Sequence, residues 1–284
     1  MAAHQDPNSA KIDSELDLPA QMFRTGASPE LVSVAMYKRE FGLVQESVWF
    51  TDVDGLALFE GDIVLGTTEV ARALEDEGRG IAIRGEEFRW PDGLVPFTVE
   101  AVLRDLVQSA IDHWEQQTPF RFIPRTDEED FVSFEHQTGC WSYVGRQGGR
   151  QVISLGSGCG LGAAIHEIGH ALGLWHEQSR SDRDQFVMVF LENVDPRQRH
   201  NFDKHIQDGI DLGTYDVGSI MHYPELAFSI NDKPTILTKN GTSIGQRNGL
   251  SAGDIEAMRM VYRDLDWRSV AQVRDEPTTT PAAP

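Results

Sequence analysis

The chain has 284 residues, with 45 acidic and 25 basic side chains and a formal net charge of −20. Because such a surface repels polyanions, the charge argues against nucleic acid or an anionic membrane surface as a partner. A hydrophobic content of 40% is typical of globular proteins, and no apolar run is long enough to cross a bilayer. The length predicts one large domain or two modest ones with a real core.

The N-terminal part is predicted to be a flexible lead followed by a short helix. Residues 1 to about 25 are polar and lack the basic start and apolar centre of a signal peptide. From 28 to about 42, Ser-Pro-Glu precedes spaced apolar residues, which is typical of a capped helix. The run Asp52-Val53-Asp54-Gly55 does not continue as a calcium loop, because no glutamate closes it. Residues 69–80 are charged and end in glycine, as expected of an accessible processing segment.

Sequence patterns in the rest of the chain predict a series of strands and two helices, apart from the helix that contains His166 and His170. Residues 103–114 place apolar side chains on one stripe at helical spacing, and 251–262 begin with the N-cap Ser251. Residues 145–162 are glycine-rich but lack the Gly-Lys-Ser/Thr ending of a phosphate loop, so they predict a hairpin tip and a helix entry. Runs of β-branched and aromatic residues predict strands at 120–123, 131–134, 141–144 and 151–155.

Residues 166–177 carry the pattern His-Glu-x-x-His-x-x-Gly-x-x-His-Glu. His166 and His170 are four positions apart, so on a helix they lie one turn apart on the same face, within reach of one metal ion. Gly173 can adopt the positive φ angle that ends a helix and turns the chain back. His176 would then be the third ligand.

This histidine set predicts one catalytic zinc ion per chain. Three neutral imidazoles leave zinc its double charge and one open position, which is typical of hydrolytic rather than structural sites. Glu167, between the first two histidines, can accept the proton of a water that attacks a carbonyl carbon. Three alternatives stay open: a helix with surface histidines, a structural zinc domain with a fourth permanent ligand, and a zinc-binding recognition module without turnover, which would not need Glu167.

The extended motif, with a glutamate directly after the third histidine, resembles that of the astacin family of metzincin metallopeptidases. A second match is Ser219-Ile220-Met221-His222-Tyr223. The resemblance implies that Met221 forms an apolar floor under the zinc, and that Tyr223 is a movable zinc ligand that later hydrogen-bonds the oxyanion. Without the resemblance, both would be ordinary packing residues.

The resemblance implies an α+β fold. A propeptide precedes a metzincin-type catalytic domain with a twisted, mostly parallel sheet, an active-site helix and a less regular C-terminal subdomain. Phe59-Glu60-Gly61-Asp62 matches the F-x-G-D motif of the astacin propeptide, whose aspartate ligates the zinc of the zymogen, so Asp62 is the predicted inhibitor. The expected parts are the propeptide at 1–80, the peptidase domain at 81–266 and a flexible Thr/Pro-rich tail at 267–284.

Cleavage of the propeptide is expected between Gly80 and Ile81 or just after Arg79, by an activating protease or by self-processing. In the family, the new amino terminus is buried and pairs with the glutamate after the third histidine, here Glu177. Because a buried charge needs a partner, this pair would order the domain only after cleavage. In the alternative interpretation, Glu177 is a solvated acid at the helix end.

The two cysteines, Cys140 and Cys159, match the hairpin disulfide of the family, and two lone thiols are the alternative. A disulfide predicts an oxidising compartment, so the chain is expected to be secreted or otherwise extracytoplasmic, although no signal peptide is visible. Most astacins carry two more cysteines, near the equivalents of Phe120 and of Val261-Tyr262. Because this chain has none there, the ends of the peptidase domain must be held by packing.

The expected substrate is an extended peptide or protein. The resemblance makes the run that begins at Trp141 the sheet edge along which the substrate lies, paired through its backbone. Many astacins prefer an acidic residue just after the cleaved bond, read by a basic residue beyond the methionine, and Lys233 or Lys239 is the candidate here. The negative charge of the chain opposes such substrates.

Overall fold

The computed structural model describes residues 29–38, 42–69, 71–72, 88–204 and 211–267. The expected N-terminal lead, the cleavage site next to Ile81 and nearly all of the C-terminal tail lie outside these residues. The helices are α1 (Arg104–Gln117), α2 (Leu161–Ala171) and α3 (Ala252–Val261). The strands are β1 (Glu30–Lys38), β2 (Gly42–Val53), β3 (Leu56–Phe59), β4 (Ile63–Thr67), β5 (Leu94–Val99), β6 (Arg121–Pro124), β7 (Phe131–Glu135), β8 (Cys140–Trp141), β9 (Arg150–Leu155), β10 (Val187–Val189) and β11 (Ile236–Thr238).

Strands β1 to β4 form an antiparallel four-stranded sheet at the start of the described chain. The prediction of a capped helix at 28–42 is wrong, because all nine residues of β1 pair with β2. Val32 and Val34 are β-branched and fit a strand, and pairing with the neighbouring strand outweighs the local capping signal.

The central sheet has five strands in the order β6-β5-β7-β9-β8. Strands β6, β5, β7 and β9 run parallel, and β8 pairs antiparallel with β9 at the edge. Helix α1 crosses between the parallel strands β5 and β6, as parallel neighbours require. Trp114 of α1 donates its Nε1 hydrogen to the carbonyl of Ile165 in α2, at 3.1 Å. These features confirm the prediction of an α+β fold with a mostly parallel sheet.

A disulfide connects the edge strand to the active-site helix. It joins Cys140 in β8 to Cys159, which lies shortly before α2, and the two Cα atoms are 5.9 Å apart. Because β8 has only two residues, few backbone hydrogen bonds hold it. The covalent link therefore stabilises the edge of the sheet beside the predicted zinc motif.

The N-terminal sheet packs against this same edge. Phe59 and Ile63 form an apolar cluster with Val144 and the half-buried Trp175. Val64 belongs to a second cluster, which contains Trp141 of β8. Because neighbouring residues of a strand point to opposite faces, β4 contributes apolar side chains to both clusters and covers the sheet edge.

The C-terminal end of the peptidase region packs in an aromatic pair, where the resemblance would place a second disulfide. The rings of Phe120 and Tyr262 form an edge-to-face contact with centroids 4.7 Å apart. The Tyr262 hydroxyl donates to the carbonyl of Leu172 at 3.1 Å and accepts from the backbone N–H of Trp90 at 3.3 Å. The Trp90 indole donates to the carbonyl of Ala171 at 2.9 Å. Packing and hydrogen bonds therefore close the region, as the cysteine count predicts.

The chain after α2 is less regular, as predicted. Strands β10 and β11 form a small antiparallel sheet, and α3 begins with a capping box made by Ser251 and Asp254. Among the described residues, no helix combines the length and apolar character that a membrane span needs.

Tyr262→Phe should lower the free energy of unfolding by about 1–3 kcal/mol, because the buried carbonyl of Leu172 and the N–H of Trp90 lose their partner. Urea denaturation followed by tryptophan fluorescence measures the loss. Tyr143→Phe is the matched control, because it removes a half-buried hydroxyl that makes no hydrogen bond in the described part of the chain. Equal stability of the two variants would contradict the closing role of Tyr262.

Candidate active site

Helix α2 and the turn after it bring three histidines together. His166 and His170 lie one turn apart on α2, with ring centroids 4.6 Å apart. The helix ends at Ala171, and Gly173 then turns the chain with a φ of 108°, in the left-handed region that glycine adopts readily. The ring of His176 then lies 5.3 Å from that of His166 and 4.7 Å from that of His170. The structure thus assembles the three predicted ligands in one place.

The first two histidines are oriented by backbone carbonyls. The Nδ1 atom of His166 lies 2.8 Å from the carbonyl oxygen of Ile220, and that of His170 lies 2.8 Å from the carbonyl oxygen of Leu174. A carbonyl oxygen only accepts, so both Nδ1 atoms carry the proton. The unprotonated Nε2 atoms of both rings therefore present their lone pairs to the centre of the site.

The third histidine is oriented by a carboxylate from the N-terminal sheet. The Nδ1 atom of His176 lies 2.7 Å from Oε2 of Glu60, and both side chains are fully buried. This contact joins residues that are 116 positions apart. The orientation of His176 therefore depends on a segment outside the sequence motif.

Asp62 lies at the centre of the three histidines. Its Oδ1 atom is 3.3 Å from Nε2 of His176 and 3.9 Å from Nε2 of His170, and its Oδ2 atom is 3.5 Å from Nε2 of His166. One ligand atom from each of the four residues lies within 4.8 Å of the other three. Burial raises the pKa of the Asp62 carboxyl, but the electrostatic effect of the nearby histidines, above all His176, outweighs burial and holds the pKa well below its usual range.

These buried atoms fit a zinc ion. Within the described ranges, both oxygens of Asp62 and the three histidine Nε2 atoms have no hydrogen-bond partner. Buried polar atoms without partners are costly, and one divalent cation would satisfy all of them. Three imidazole nitrogens and one carboxylate oxygen are a donor set that suits tetrahedral zinc. The chemistry of the site therefore supports the prediction of zinc.

Glu167 lies beside this donor set, in a fully buried position. Both of its carboxylate oxygens are without a hydrogen-bond partner among the described residues. Burial and the charge of Asp62 raise the pKa of Glu167 well above its usual value, and Arg247 partly offsets them. A carboxylate that holds a proton readily, next to a metal site, is suited to acid and base chemistry.

Met221 packs against α2 between the ligands. A Cβ atom placed on Gly169 would lie 2.8 Å from the Sδ atom of Met221, so glycine permits this close approach. Met221 is buried, and its carbonyl accepts from the backbone N–H of Glu177 at 3.2 Å. The Met221 sulfur therefore packs against the turn of α2 that carries the first two histidines, and its role as an apolar floor stays a prediction.

Tyr223 is fully buried, and the N-terminal segment holds its hydroxyl. Its ring centroid lies 4.8 Å from that of His176, and its hydroxyl donates to the carbonyl of Glu60 at 2.5 Å. Burial raises the pKa of Tyr223 well above its usual value, so the hydroxyl keeps its proton.

Glu177 lines a small internal cavity together with Asp216 and Asp254. Its Oε1 atom accepts from the backbone N–H of Asp216 at 2.6 Å and lies 3.7 Å from Nε of Arg180. Burial raises the pKa of Glu177 to about 8. The side chain is therefore not the solvated helix-end acid of the alternative interpretation. Its expected partner, the amino group of Ile81, lies outside the described residues.

The sequence analysis missed two residues at the site, Glu60 and Arg247. Glu60 occupies the variable position of the F-x-G-D motif, and no local pattern singles it out. Arg247 donates Nη1 to the carbonyls of His222 and Gln246, whereas its Nε and Nη2 atoms are buried and have no partner within the described chain. Burial lowers the pKa of Arg247 to about 10, although Asp62 and Glu167 counteract this.

Zinc added to the chelator-treated protein should raise its unfolding temperature in scanning calorimetry, because the ion satisfies the buried Nε2 atoms. At a free zinc concentration about a thousand times the Kd, the stabilisation is about 4 kcal/mol. Magnesium is the control, because it prefers oxygen ligands and should leave the unfolding temperature unchanged. An unfolding temperature that does not respond to zinc would contradict the metal site.

Curated proteins are similar to a large part of this chain. Blastula protease 10 of Paracentrotus lividus is 40% identical over 237 residues, covering 75% of this chain and 40% of the relative. Tolloid-like protein 2 of Homo sapiens is 44% identical over 189 residues, covering 61% of this chain and 19% of the relative. The chain thus spans less than half the length of these curated relatives.

A solved structure and a family match agree with the geometry. The structure of high choriolytic enzyme 1, a hatching enzyme zinc-protease from Oryzias latipes, aligns with a TM-score of 0.60 and 36% identity, over 63% of this chain and 96% of that one. The sequence model of the peptidase family described as Astacin matches residues 82–263, which contain the three histidines, Glu167, Met221 and Tyr223. The chain therefore belongs to the astacin family of metallopeptidases.

Proposed function

We propose that this chain is a zinc endopeptidase made as a precursor, in which Asp62 occupies the open position of the metal. The observation that carries the proposal is the Asp62 carboxylate, which lies 3.3–3.9 Å from the Nε2 atoms of the three histidines. One zinc ion per chain is held by the histidines. The proposed parts are a propeptide at 1–80, a peptidase domain at 81–266 and a tail at 267–284.

The proposed reaction is the hydrolysis of an internal peptide bond. The three histidines would hold zinc, which when bound would supply Lewis-acid chemistry for the scissile carbonyl and for the attacking water. Glu167 accepts the proton of that water and passes it to the leaving amine. Burial, the largest cause of its raised pKa, favours holding the proton between the two steps. Once the propeptide is removed, the Tyr223 hydroxyl loses its hydrogen bond to the carbonyl of Glu60 and can donate to the oxyanion instead.

The inhibitory segment occupies the sheet edge that a substrate would need. Ser142 donates its backbone N–H to the carbonyl of Asp62 at 2.9 Å and accepts from the N–H of Val64 at 2.8 Å. An extended substrate would use these same backbone groups, which supports recognition through the main chain. The segment therefore competes with a substrate for this edge, whereas Asp62 supplies the contact with the metal position.

Removal of the propeptide is the proposed activation step, by an activating protease or by self-processing. The new amino terminus at Ile81 would enter the cavity beside Glu177 and place a positive charge among the carboxylates of Glu177, Asp216 and Asp254. Nε of Arg180 lies 3.7 Å from Oε1 of Glu177. A buried carboxylate with a raised pKa is a suitable partner for an amine.

Arg247 is proposed to select an acidic side chain just after the cleaved bond. Of the two lysines predicted for this role, Lys233 is exposed, and Lys239 donates Nζ to the carbonyl of Asp184. Arg247 has two buried donor atoms to offer and interacts electrostatically with Asp62 and Glu167. A buried guanidinium attracts a carboxylate locally, even though the chain as a whole is negative.

A zinc-binding recognition module without turnover is the rival function, but it does not require Glu167 with its buried carboxylate and raised pKa. Export to an oxidising compartment is proposed because the chain contains a disulfide between Cys140 and Cys159.

Asp62→Ala in the full-length chain should raise the rate of casein cleavage before processing by about a hundredfold, because the tethered carboxylate no longer competes for the metal. Asp54→Ala, in an exposed turn of the same N-terminal sheet, is the matched control and should stay latent. Adding Glu167→Gln to Asp62→Ala should lower cleavage about 10²- to 10⁴-fold while zinc stays bound. A latent Asp62→Ala precursor would reject the inhibitory role, and an active double variant would reject Glu167 as the base.

Arg247→Gln should lower kcat/KM of the processed enzyme about tenfold to a hundredfold for a peptide with Asp after the cleaved bond, since a charge-assisted hydrogen bond is lost. The companion peptide with Asn at that position should respond much less. Arg247→Lys keeps the charge and should retain part of the preference. An unchanged Asp-to-Asn ratio in Arg247→Gln would show that another residue sets the preference.

A further inference from the structure

Glu60 makes contacts that are not needed for Asp62 to cover the metal position. We propose that Glu60 is a positioning residue for zinc: its carboxylate orients His176, so the precursor binds zinc more tightly than the processed enzyme does. The inference rests on the proposed zinc site and on removal of the propeptide. It adds a second role for the propeptide, which supports a metal ligand besides covering the metal.

One residue of the N-terminal segment holds three groups of the peptidase region. Oε2 of Glu60 lies 2.7 Å from Nδ1 of His176. Oε1 accepts a hydrogen bond from the hydroxyl of Ser179, and the backbone carbonyl accepts from the hydroxyl of Tyr223 at 2.5 Å. Glu60 is completely buried, so these contacts are shielded from water and are correspondingly strong.

The three histidines differ in where their support comes from. His166 and His170 lie on α2, and their Nδ1 atoms contact the carbonyls of Ile220 and Leu174, which belong to the peptidase region. His176 lies after the helix, with extended backbone angles of φ −65° and ψ 138°. Cleavage near Ile81 therefore leaves two ligands with their partners and removes the partner of the third.

The backbone conformation at Glu60 is also one that glutamate does not favour, so the turn itself does not explain the side chain at this position. Glu60 has a φ of 51° and Gly61 a φ of 88°, both in the left-handed region, where the chain turns between β3 and β4. Glycine or asparagine would adopt this conformation more easily than glutamate does. Strained positions of this kind persist where surrounding contacts fix them, and they are frequent at switch regions. The contacts of the carboxylate supply that fixation.

The chemistry of the contact explains its effect on zinc. A carboxylate that accepts the Nδ1 proton of a histidine fixes the tautomer and the ring orientation, and it makes Nε2 a better ligand. Loss of such a partner typically lowers metal affinity about 10- to 100-fold. Zinc would thus enter and be retained while the propeptide is attached. Removal of Glu60 then loosens His176 and releases the neighbouring Tyr223 in the same step.

The test measures the zinc affinity of full-length precursors by competition with a chromogenic chelator. The proteins are the parent, Glu60→Gln, Asp62→Ala and the double variant. Glu60→Gln should lower zinc affinity about 10- to 100-fold both with Asp62 present and in the Asp62→Ala background. An effect that vanishes in the Asp62→Ala background would mean that Glu60 only positions Asp62, and would overturn the proposal. An unchanged affinity in both backgrounds would also overturn it.

Processing provides a control, because the parent and Glu60→Gln precursors yield the same peptidase chain. Their processed products should bind zinc equally. The processed parent should also bind zinc less tightly than the Asp62→Ala precursor, which lacks the inhibitory ligand but keeps Glu60. Processed protein that binds zinc as tightly as that precursor would refute the inference. This comparison needs no substitution at position 60, so it holds even if Glu60→Gln fails to fold.

Two further variants separate the role of Glu60 from other causes. Asp54→Asn tests a general effect of altering the N-terminal sheet, because Asp54 has a similar φ of 53° in another turn, and it should leave zinc affinity unchanged. Ser179→Ala removes the other contact of the carboxylate and should lower zinc affinity less than Glu60→Gln does. If Asp62→Ala leaves the precursor latent, the inhibitory role fails, whereas the zinc affinities still decide the role of Glu60.

Discussion

The convergence of three buried imidazole nitrogens is the constraint on which the rest of the structure depends. Among the described residues, no Nε2 atom of the three histidines has a hydrogen-bond partner, whereas each Nδ1 atom contacts a carbonyl or carboxylate oxygen. Such an arrangement is unfavourable unless a cation occupies the centre. The turn at Gly173, the packing of Met221 on Gly169 and the burial of Glu167 all serve this geometry.

A short turn between two strands of the N-terminal sheet reaches into this centre. Within it, Asp62 faces the metal position, the Glu60 carboxylate supports His176, and the Glu60 carbonyl engages Tyr223. The strand after the turn pairs with Ser142 and is anchored by apolar side chains on both faces. Several buried contacts therefore come from one hairpin, so a cut that released this segment would remove them together.

Local rules explain why much of the site could be predicted from the sequence. Helical periodicity and one glycine place the three histidines, and the resemblance supplied the parallel sheet and the roles of Met221 and Tyr223. Strand β1 was missed because the local sequence resembles the start of a capped helix, whereas the strand depends on pairing with β2. Glu60 and Arg247 were missed because their environments come from distant segments, such as His176, 116 positions from Glu60. The burial of such groups is a property of the assembled fold.

The contact between Phe120 and Tyr262 fastens the C-terminal end of the peptidase region to its interior without sulfur chemistry. Ring packing forms as soon as the chain folds, and it needs no oxidase, isomerase or particular redox potential. The overall closure of the region is therefore insensitive to thiols. Only the link between Cys140 and Cys159 responds to reductants, which confines any redox sensitivity to the sheet edge beside the catalytic cleft.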